Sequence, residues 1–146
     1  MWGISLSLDC RYIFAPQEHG GLWCLSVEDG SVQWKTKSRA QFKHILVNAA
    51  GSICCAVSEH DIVVLDSMTG MAQVRKKVSW INDFKVLGKD KILVEANARQ
   101  WYILNFETLE ILEIIHKKEL NSENEQAIWK RVFQEWEIAE DNNSTI

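Results

Sequence analysis

Apolar and polar residues alternate in short segments through most of this chain. From about residue 3 to residue 115, short apolar runs are separated by turns that contain glycine, aspartate or asparagine. Alternation with a period of two, broken by such turns, is typical of β-strands joined in hairpins. The pattern predicts strands at about residues 3–8, 11–15, 21–27, 31–36, 42–47, 52–57, 61–66, 71–77, 81–86, 91–96, 100–105 and 110–115.

The strand pattern occurs three times. Three leucines that end a predicted strand recur at spacings of 40 and 39 residues: Leu25, Leu65 and Leu104. Three isoleucines upstream recur at the same spacings: Ile13, Ile53 and Ile92. A period near forty residues is that of a propeller blade. The repeat therefore predicts an all-β fold of three four-stranded antiparallel blades.

The period changes after residue 116. Apolar residues then recur at helical intervals and form one stripe: Ile128, Trp129, Val132, Phe133 and Trp136. Such a stripe predicts an amphipathic helix, and Ser122 and Glu125 have the spacing of a capping box at its start. We therefore expect a three-blade domain over residues 1–116, a C-terminal amphipathic helix within 117–140, and a disordered tail at 141–146.

Two hairpin segments resemble a known family. "LWCLSVEDGSVQWKTK" and "IVVLDSMTGMAQVRKK" are similar to the inner hairpin of WD40-type and quinoprotein-type β-propeller blades. In that hairpin a strand ends in a leucine–aspartate-like pair, turns through threonine–glycine, and leads to a strand that often carries tryptophan. Gly70, Gly30 and Trp34 fit this pattern, whereas the third unit has Leu109 in place of the glycine. The resemblance implies an architecture for residues 3–115, but propellers host many unrelated functions.

The number of blades leaves the closure of the fold open. Propellers close with about four to eight blades, and this chain has three. Two copies could form a six-bladed ring, a second protein could supply the missing blades, or the C-terminal helix could cover one end. An uncovered blade face would exceed the apolar patch that soluble monomers tolerate. We therefore expect that the functional protein is not a free monomer.

Composition and charge restrict the partners. The chain has 146 residues, of which 47% are hydrophobic and 25% charged, which suits one globular domain. The net charge is −4, and the 20 acidic residues outnumber the 16 basic ones, so a nucleic-acid surface is not expected. No apolar run approaches the roughly 18 residues of a membrane span. The N-terminus lacks a basic leader, so we expect a cytoplasmic protein.

The sequence contains none of the common catalytic or metal-binding patterns. The glycines form no phosphate loop, the histidines are scattered, and no C-x-x-C pair occurs. The sequence therefore predicts no enzyme, no cofactor and no metal site. Cys54 and Cys55 are adjacent in a strand, so their side chains should face opposite sides as buried thiols. A quinoprotein-like enzyme fragment is a further reading, because some quinoprotein dehydrogenases carry adjacent cysteines near the cofactor.

These patterns favour a non-catalytic protein–protein interaction module that is completed by oligomerisation or by a partner protein. Exposed tryptophans are common anchors of protein interfaces. The candidate partner-binding residues are therefore the aromatic residues at the two ends of the repeat: Trp2, Trp129, Phe133 and Trp136. The remaining tryptophans are expected to fill the space between blades: Trp23, Trp34, Trp80 and Trp101.

The alternative function is a small acidic inhibitor or immunity protein in the cytoplasm. Such a protein would bind and neutralise a basic toxin, with electrostatic attraction speeding its capture.

Overall fold

A computed structural model describes residues 4–7, 9–36, 40–48 and 50–138 of the chain. The strands are β1 Ser5–Leu6, β2 Tyr12–Pro16, β3 Leu22–Ser26, β4 Val32–Lys35, β5 His44–Val47, β6 Ile53–Val57, β7 Asp61–Asp66, β8 Ala72–Lys77, β9 Ile81–Leu87, β10 Lys91–Ala96, β11 Gln100–Asn105 and β12 Ile111–His116. The strands predicted from the alternation are thus confirmed, with small shifts of their ends. Trp2 and the predicted tail at 141–146 lie outside the described residues.

The strands form three four-stranded antiparallel sheets. Blade 1 is β1-β2-β3-β4, blade 2 is β5-β6-β7-β8, and blade 3 is β9-β10-β11-β12. Each sheet runs in chain order, so neighbouring strands are joined as hairpins. All three blades have a register shift at the same place between the last two strands. This shared bulge confirms that the three units are repeats of one structure.

The register defines which residues of the three blades are equivalent. Leu25 pairs with Ile13 in blade 1, and Leu104 pairs with Ile92 in blade 3. In blade 2, however, Leu65 pairs with Cys54 and not with Ile53. The repeat predicted from the leucines is therefore structural, whereas the isoleucine spacing is a coincidence in the second unit. The reason is that Leu65 follows Cys54 by 11 residues, whereas the other two pairs are 12 apart.

A short helix follows the third blade. A 3₁₀ turn at Lys117–Glu119 leads to helix α1, Glu125–Phe133, which continues as a π-helical turn at Gln134–Ile138. The predicted amphipathic helix is confirmed. Among the described residues, no helix is both long and apolar enough to cross a membrane.

The predicted capping box at the start of α1 is wrong. The residue before the helix is Asn124, and its side chain caps no helical N–H. Instead, Asn124 Oδ1 accepts a hydrogen bond from the backbone N–H of Asn121 at 2.8 Å. The side-chain oxygen of Asn121 in turn accepts the N–H groups of Glu123 and Asn124 at 2.9 Å. These reciprocal asparagine bonds fix the entry to the helix in place of Ser122 and Glu125.

The core consists of three apolar layers. The layer between blades 1 and 2 includes Phe14, Cys24, Trp34, Cys54 and Leu65. The layer between blades 2 and 3 includes Cys55, Val64, Ile92, Leu104 and Leu109. The third layer lies between blade 3 and helix α1 and includes Leu87, Leu93, Ile103, Ile115 and Val132. Cys54 and Cys55 thus face opposite sides of blade 2, as the sequence predicts.

Candidate interaction surfaces

In the part of the chain that the structure describes, blade 1 has one sheet face that no other blade covers. Residues opposite each other in an antiparallel sheet share a face. One row across this face joins residues of all four strands: Leu6, Ile13, Leu25 and Val32. A second row joins Ala15, Trp23 and Lys35, and the Lys35 ammonium lies 5.3 Å from the Trp23 ring. We call these two rows the outer face of blade 1.

The outer face of blade 1 is equivalent to buried faces of the other two blades. Leu65 and Leu104, which each face the preceding blade, are 2% and 0% exposed. Leu25 is their counterpart and is half-buried. Leu6 in the same row is 53% exposed, whereas its counterparts Val47 and Val86 are half-buried. The position of Leu25 in the repeat therefore forms a blade contact in blades 2 and 3, but it faces solvent in blade 1.

The contact between blades 1 and 2 centres on Trp34. Its Nε1 donates a hydrogen bond of 2.9 Å to the backbone carbonyl of Ser67, and its ring lies 6.0 Å from that of Phe14. Gly70 lies under the indole with φ +75°, and a Cβ added there would be only 2.3 Å from Trp34 Cε3. The glycine at this turn is therefore required by the tryptophan of the preceding blade as well as by its backbone.

The equivalent contacts change along the stack. The shared bulge places Val74 of blade 2 and Glu113 of blade 3 at the position of Trp34. Leu109 takes the position of Gly70 in the third blade, has φ +60°, and is 1% exposed. Val74 and Leu109 belong to one apolar cluster. Valine is smaller than the tryptophan of blade 1 and leucine is larger than the glycine of blade 2, so the two changes compensate in volume.

Glu113 anchors the C-terminal helix to blade 3. Arg131 forms a two-pronged ion pair with it, with Nη2–Oε2 at 2.5 Å and Nη1–Oε1 at 3.2 Å. Trp136 Nε1 also donates to Glu113 Oε1 at 3.0 Å. The Arg131 hydrogen bond lowers the pKa of Glu113 below its ordinary value, although partial burial opposes the shift. The position that carries an indole in blade 1 thus carries a carboxylate that holds the helix.

The helix covers the face of blade 3 that a fourth blade would cover. Trp129, Phe133 and Trp136 are half-buried and pack against the apolar cluster of that face. Trp129 meets Trp101 edge to face, with ring centroids 5.4 Å apart. Of the predicted partner-binding residues, the structure brings these three together on blade 3. Their contact with a partner stays a prediction.

A groove of about 690 Å³ runs between helix α1 and blade 3. Trp101, Trp129 and Phe133 line it together with charged residues, including Lys85 and Lys117. The ammonium of Lys85 lies 4.4 Å from the Phe133 ring. Trp129 and Phe133, two of the predicted partner-binding residues, therefore contact blade 3 and line an accessible groove.

Sequence reasoning placed three of the four tryptophans wrongly, because only Trp34 fills the space between blades. Trp80 does not fill the space between blades, since it is 58% exposed on the connection between β8 and β9. It has φ +52°, and its backbone N–H donates to His60 Nδ1 at 3.3 Å. The exposed indole meets the His60 ring edge to face, with ring centroids 4.6 Å apart. Trp34 does lie between blades, while Trp101 lies against the helix and Trp23 on the outer face of blade 1.

Three of the four cysteines, Cys24, Cys54 and Cys55, have the environment of buried thiols. Burial raises the pKa of Cys24 to about 11 and that of Cys54 to about 12, and it also raises the pKa of Cys55. Cys10 is exposed. Within the described parts of the chain, no group of three or more histidine, cysteine, aspartate or glutamate residues is arranged to hold a metal ion.

The turn of blade 1 at Gly30 was noted in the sequence only as a propeller-like turn. The sequence signal for this contact is a tryptophan in one unit followed by a turn glycine in the next unit, as for Trp34 and Gly70.

Comparison with known proteins identifies the fold. No protein-family model and no curated protein matches the sequence. The structure is similar to the crystal structure of BamB from Moraxella catarrhalis, with a TM-score of 0.67 and 13% identity over 78% of this chain and 36% of that one. It is also similar to the WD40 repeats of RRP9, with a TM-score of 0.68 and 10% identity over 77% of this chain and 37% of that one.

The chain thus spans about a third of the length of these two solved structures. At such low identity the similarity concerns the fold alone. The chain is built from three consecutive blades of the β-propeller type, followed by one helix.

Proposed function

We propose that this chain is a non-catalytic protein-binding module and that another protein covers the outer face of blade 1. One observation carries the proposal. Ile13 and Leu25 are only half-buried in blade 1, whereas the equivalent pairs, Cys54–Leu65 and Ile92–Leu104, are buried against a neighbouring blade. The similarity to propeller structures supports a protein-interaction role, because propeller blades bury their faces against one another.

The two ends of the stack differ, which indicates where the partner binds. Helix α1 and the Glu113–Arg131 ion pair cover the outer side of blade 3. A head-to-tail ring of two copies would have to displace this helix. A second copy could instead bind blade 1 to blade 1 with twofold symmetry. The outer face of blade 1 is therefore the surface that supports completion by a partner.

Mass in solution, measured by light scattering across a concentration series, tests the proposal together with binding of an apolar dye. We expect either a mass above that of the monomer or a monomer that binds the dye. Val32→Asp should abolish whichever signal is found, because it places a charge in the apolar row. Ile114→Asp is the matched control, since Ile114 is 43% exposed on the last strand of blade 3.

The outcomes separate the alternatives. A mass that falls to the monomer on Val32→Asp supports a second copy, whereas loss of dye binding from a monomer supports a different partner. A strict monomer without dye binding, or equal effects of Val32→Asp and Ile114→Asp, would overturn the proposal.

A further inference from the structure

The turns at Gly30 and Gly70 have the same backbone, but among the described residues only Gly70 has an indole against it. The N–H of Gly30 donates to the Ser26 carbonyl at 2.9 Å, and that of Gly70 donates to the Asp66 carbonyl at 2.8 Å. Their φ angles are +73° and +75°. A Cβ added at Gly70 would collide with Trp34, whereas one added at Gly30 would meet no atom of the described residues within 4 Å. The two turns therefore have the same shape. In blade 2 an indole lies against the turn, and in blade 1 this space is open to solvent.

The acceptor for an indole N–H is repeated as well. Trp34 Nε1 donates to the carbonyl of Ser67, which lies three residues before Gly70. Val27 lies three residues before Gly30 in the equivalent turn. Ser67 is 7% exposed beneath the neighbouring blade, whereas Val27 is 47% exposed. The Val27 carbonyl is thus placed as the Ser67 carbonyl is, on a surface that is open to a partner.

The surface beside this turn fits a sheet face. Trp34 reaches Gly70 from the outermost strand of blade 1, with Phe14 and Cys24 beside it in the same apolar layer. On the receiving side, Leu65 and Cys54 form part of that layer. Blade 1 presents the counterparts of the receiving residues next to Gly30. An occupant that fills the turn and covers these residues needs the geometry of another blade.

We propose that the Gly30 turn is a binding site for a tryptophan side chain on the outermost strand of a blade of a partner protein. This inference rests on the proposed function and names the chemistry of the partner. The indole ring lies over the Cα of Gly30, and its Nε1–H donates to the Val27 carbonyl. The apolar row through Leu25 packs against the rest of the partner blade.

Among the described residues, no blade of this chain has an available tryptophan at this position of its outermost strand, where the three blades carry Trp34, Val74 and Glu113. Trp34 is only 9% exposed because it is already held against Gly70 of its own chain. The equivalent position of blade 3 is Glu113, which is bound to Arg131 beneath the helix. The partner is therefore a different protein.

Photo-crosslinking in cells that naturally make the protein tests the inference. p-Benzoylphenylalanine replaces Glu28, an exposed residue of the same turn, and the crosslinked peptide is identified by mass spectrometry. We expect a peptide from a propeller-type blade that contains tryptophan. Gly30→Asn should reduce the yield by about tenfold or more, the equivalent of 1.4 kcal/mol, because its Cβ occupies the indole position.

The design includes a control for backbone strain. Asparagine tolerates positive φ better than most residues, so Gly30→Asn should fold. Gly51 has the same φ of +73° in another turn, and Gly51→Asn should leave the yield unchanged. Thermal unfolding of both variants verifies folding. If Gly30→Asn does not fold, the identified tryptophan of the partner is replaced by alanine instead, and this replacement should reduce the crosslinking yield in the same way.

Failure of this inference is distinguishable from failure of the proposed function. A partner whose crosslinked peptide lacks tryptophan, or a yield that is unchanged in Gly30→Asn, overturns the indole site and leaves the binding module. Capture of a second copy, or no capture at Glu28, also overturns the indole site. The proposed function is then decided by the light-scattering and dye measurements alone.

Discussion

The indole of Trp34 lies directly over Gly70, and this contact joins blade 1 to blade 2. Its Nε1–H donates to the Ser67 carbonyl, 33 residues along the chain, at 2.9 Å. A buried indole needs such a partner, because an unpaired N–H in an apolar layer costs free energy. One side chain therefore fixes both the spacing of two blades and the residue type of the turn beneath it.

Gly70→Ala should destabilise the protein far more than Gly30→Ala. Both alanines pay about 1–2 kcal/mol for a left-handed backbone. Only the Gly70 variant also collides with Trp34, which adds about 1–3 kcal/mol for overpacking. Urea unfolding followed by far-ultraviolet circular dichroism measures the two free energies of unfolding. Equal losses would show that Trp34 does not constrain this turn.

Glu113→Gln should make stability less dependent on pH in the acid range. The Arg131 hydrogen bond holds the folded-state pKa of Glu113 below its ordinary 4.5, so the ion pair stabilises the fold above that pH. This contribution is lost as the pH falls through the lowered folded-state pKa. We expect the wild type to exceed the variant in free energy of unfolding near neutrality, with the difference vanishing at low pH.

Unfolding in urea at several pH values measures this difference. Glu110→Gln is a suitable control, since Glu110 is an exposed residue of the preceding turn. A wild-type advantage that persists unchanged into strong acid would contradict the assigned role of Glu113.

Trp129→Ala and Trp136→Ala should each loosen the helix that covers blade 3. Both side chains are half-buried, so we expect a loss of about 2 kcal/mol, below the range for fully buried tryptophan. Dye binding should rise as the apolar face of blade 3 becomes exposed. Trp80→Ala is the control, because Trp80 is 58% exposed and its loss should cost about 0.5 kcal/mol or less.

The same variants test whether the helix also contacts a partner, as the sequence predicts. If so, association measured by light scattering should weaken in Trp129→Ala and Trp136→Ala under conditions where both remain folded. Unchanged association would restrict these two residues to covering blade 3.

Thiol titration should show one fast and three slow cysteines among the four in the chain. Cys10 is exposed, whereas Cys24, Cys54 and Cys55 are buried. Thiolate is the reactive form, and a pKa of about 11 for Cys24 and about 12 for Cys54 keeps these thiols protonated at neutral pH. Cys10→Ser should remove the fast phase, and urea should expose the others. Fast reaction of Cys54 in the native protein would contradict the buried-thiol assignment.

The local features of this protein follow from its sequence alone. Strands, turns and the helix are set by residue alternation and by glycine, aspartate and asparagine, which act over a few neighbouring residues. The forty-residue repeat needs only the leucines at positions 25, 65 and 104. The sequence also shows Leu109 in place of the turn glycine, but it does not show that this leucine is buried between blades 2 and 3.

Only the tertiary structure decided which face of each strand is covered and by what. The side-chain period of a strand is two. The equivalent paired residues are 11 apart in blade 2 and 12 apart in the other blades, so Ile53 lies on the opposite face from the one that corresponds to Ile13. The contacts of Trp34 with Gly70 and of Glu113 with Arg131 join segments that the chain brings together only after pairing. The open end at blade 1 and the covered end at blade 3 arise from these long-range contacts, which no local pattern encodes.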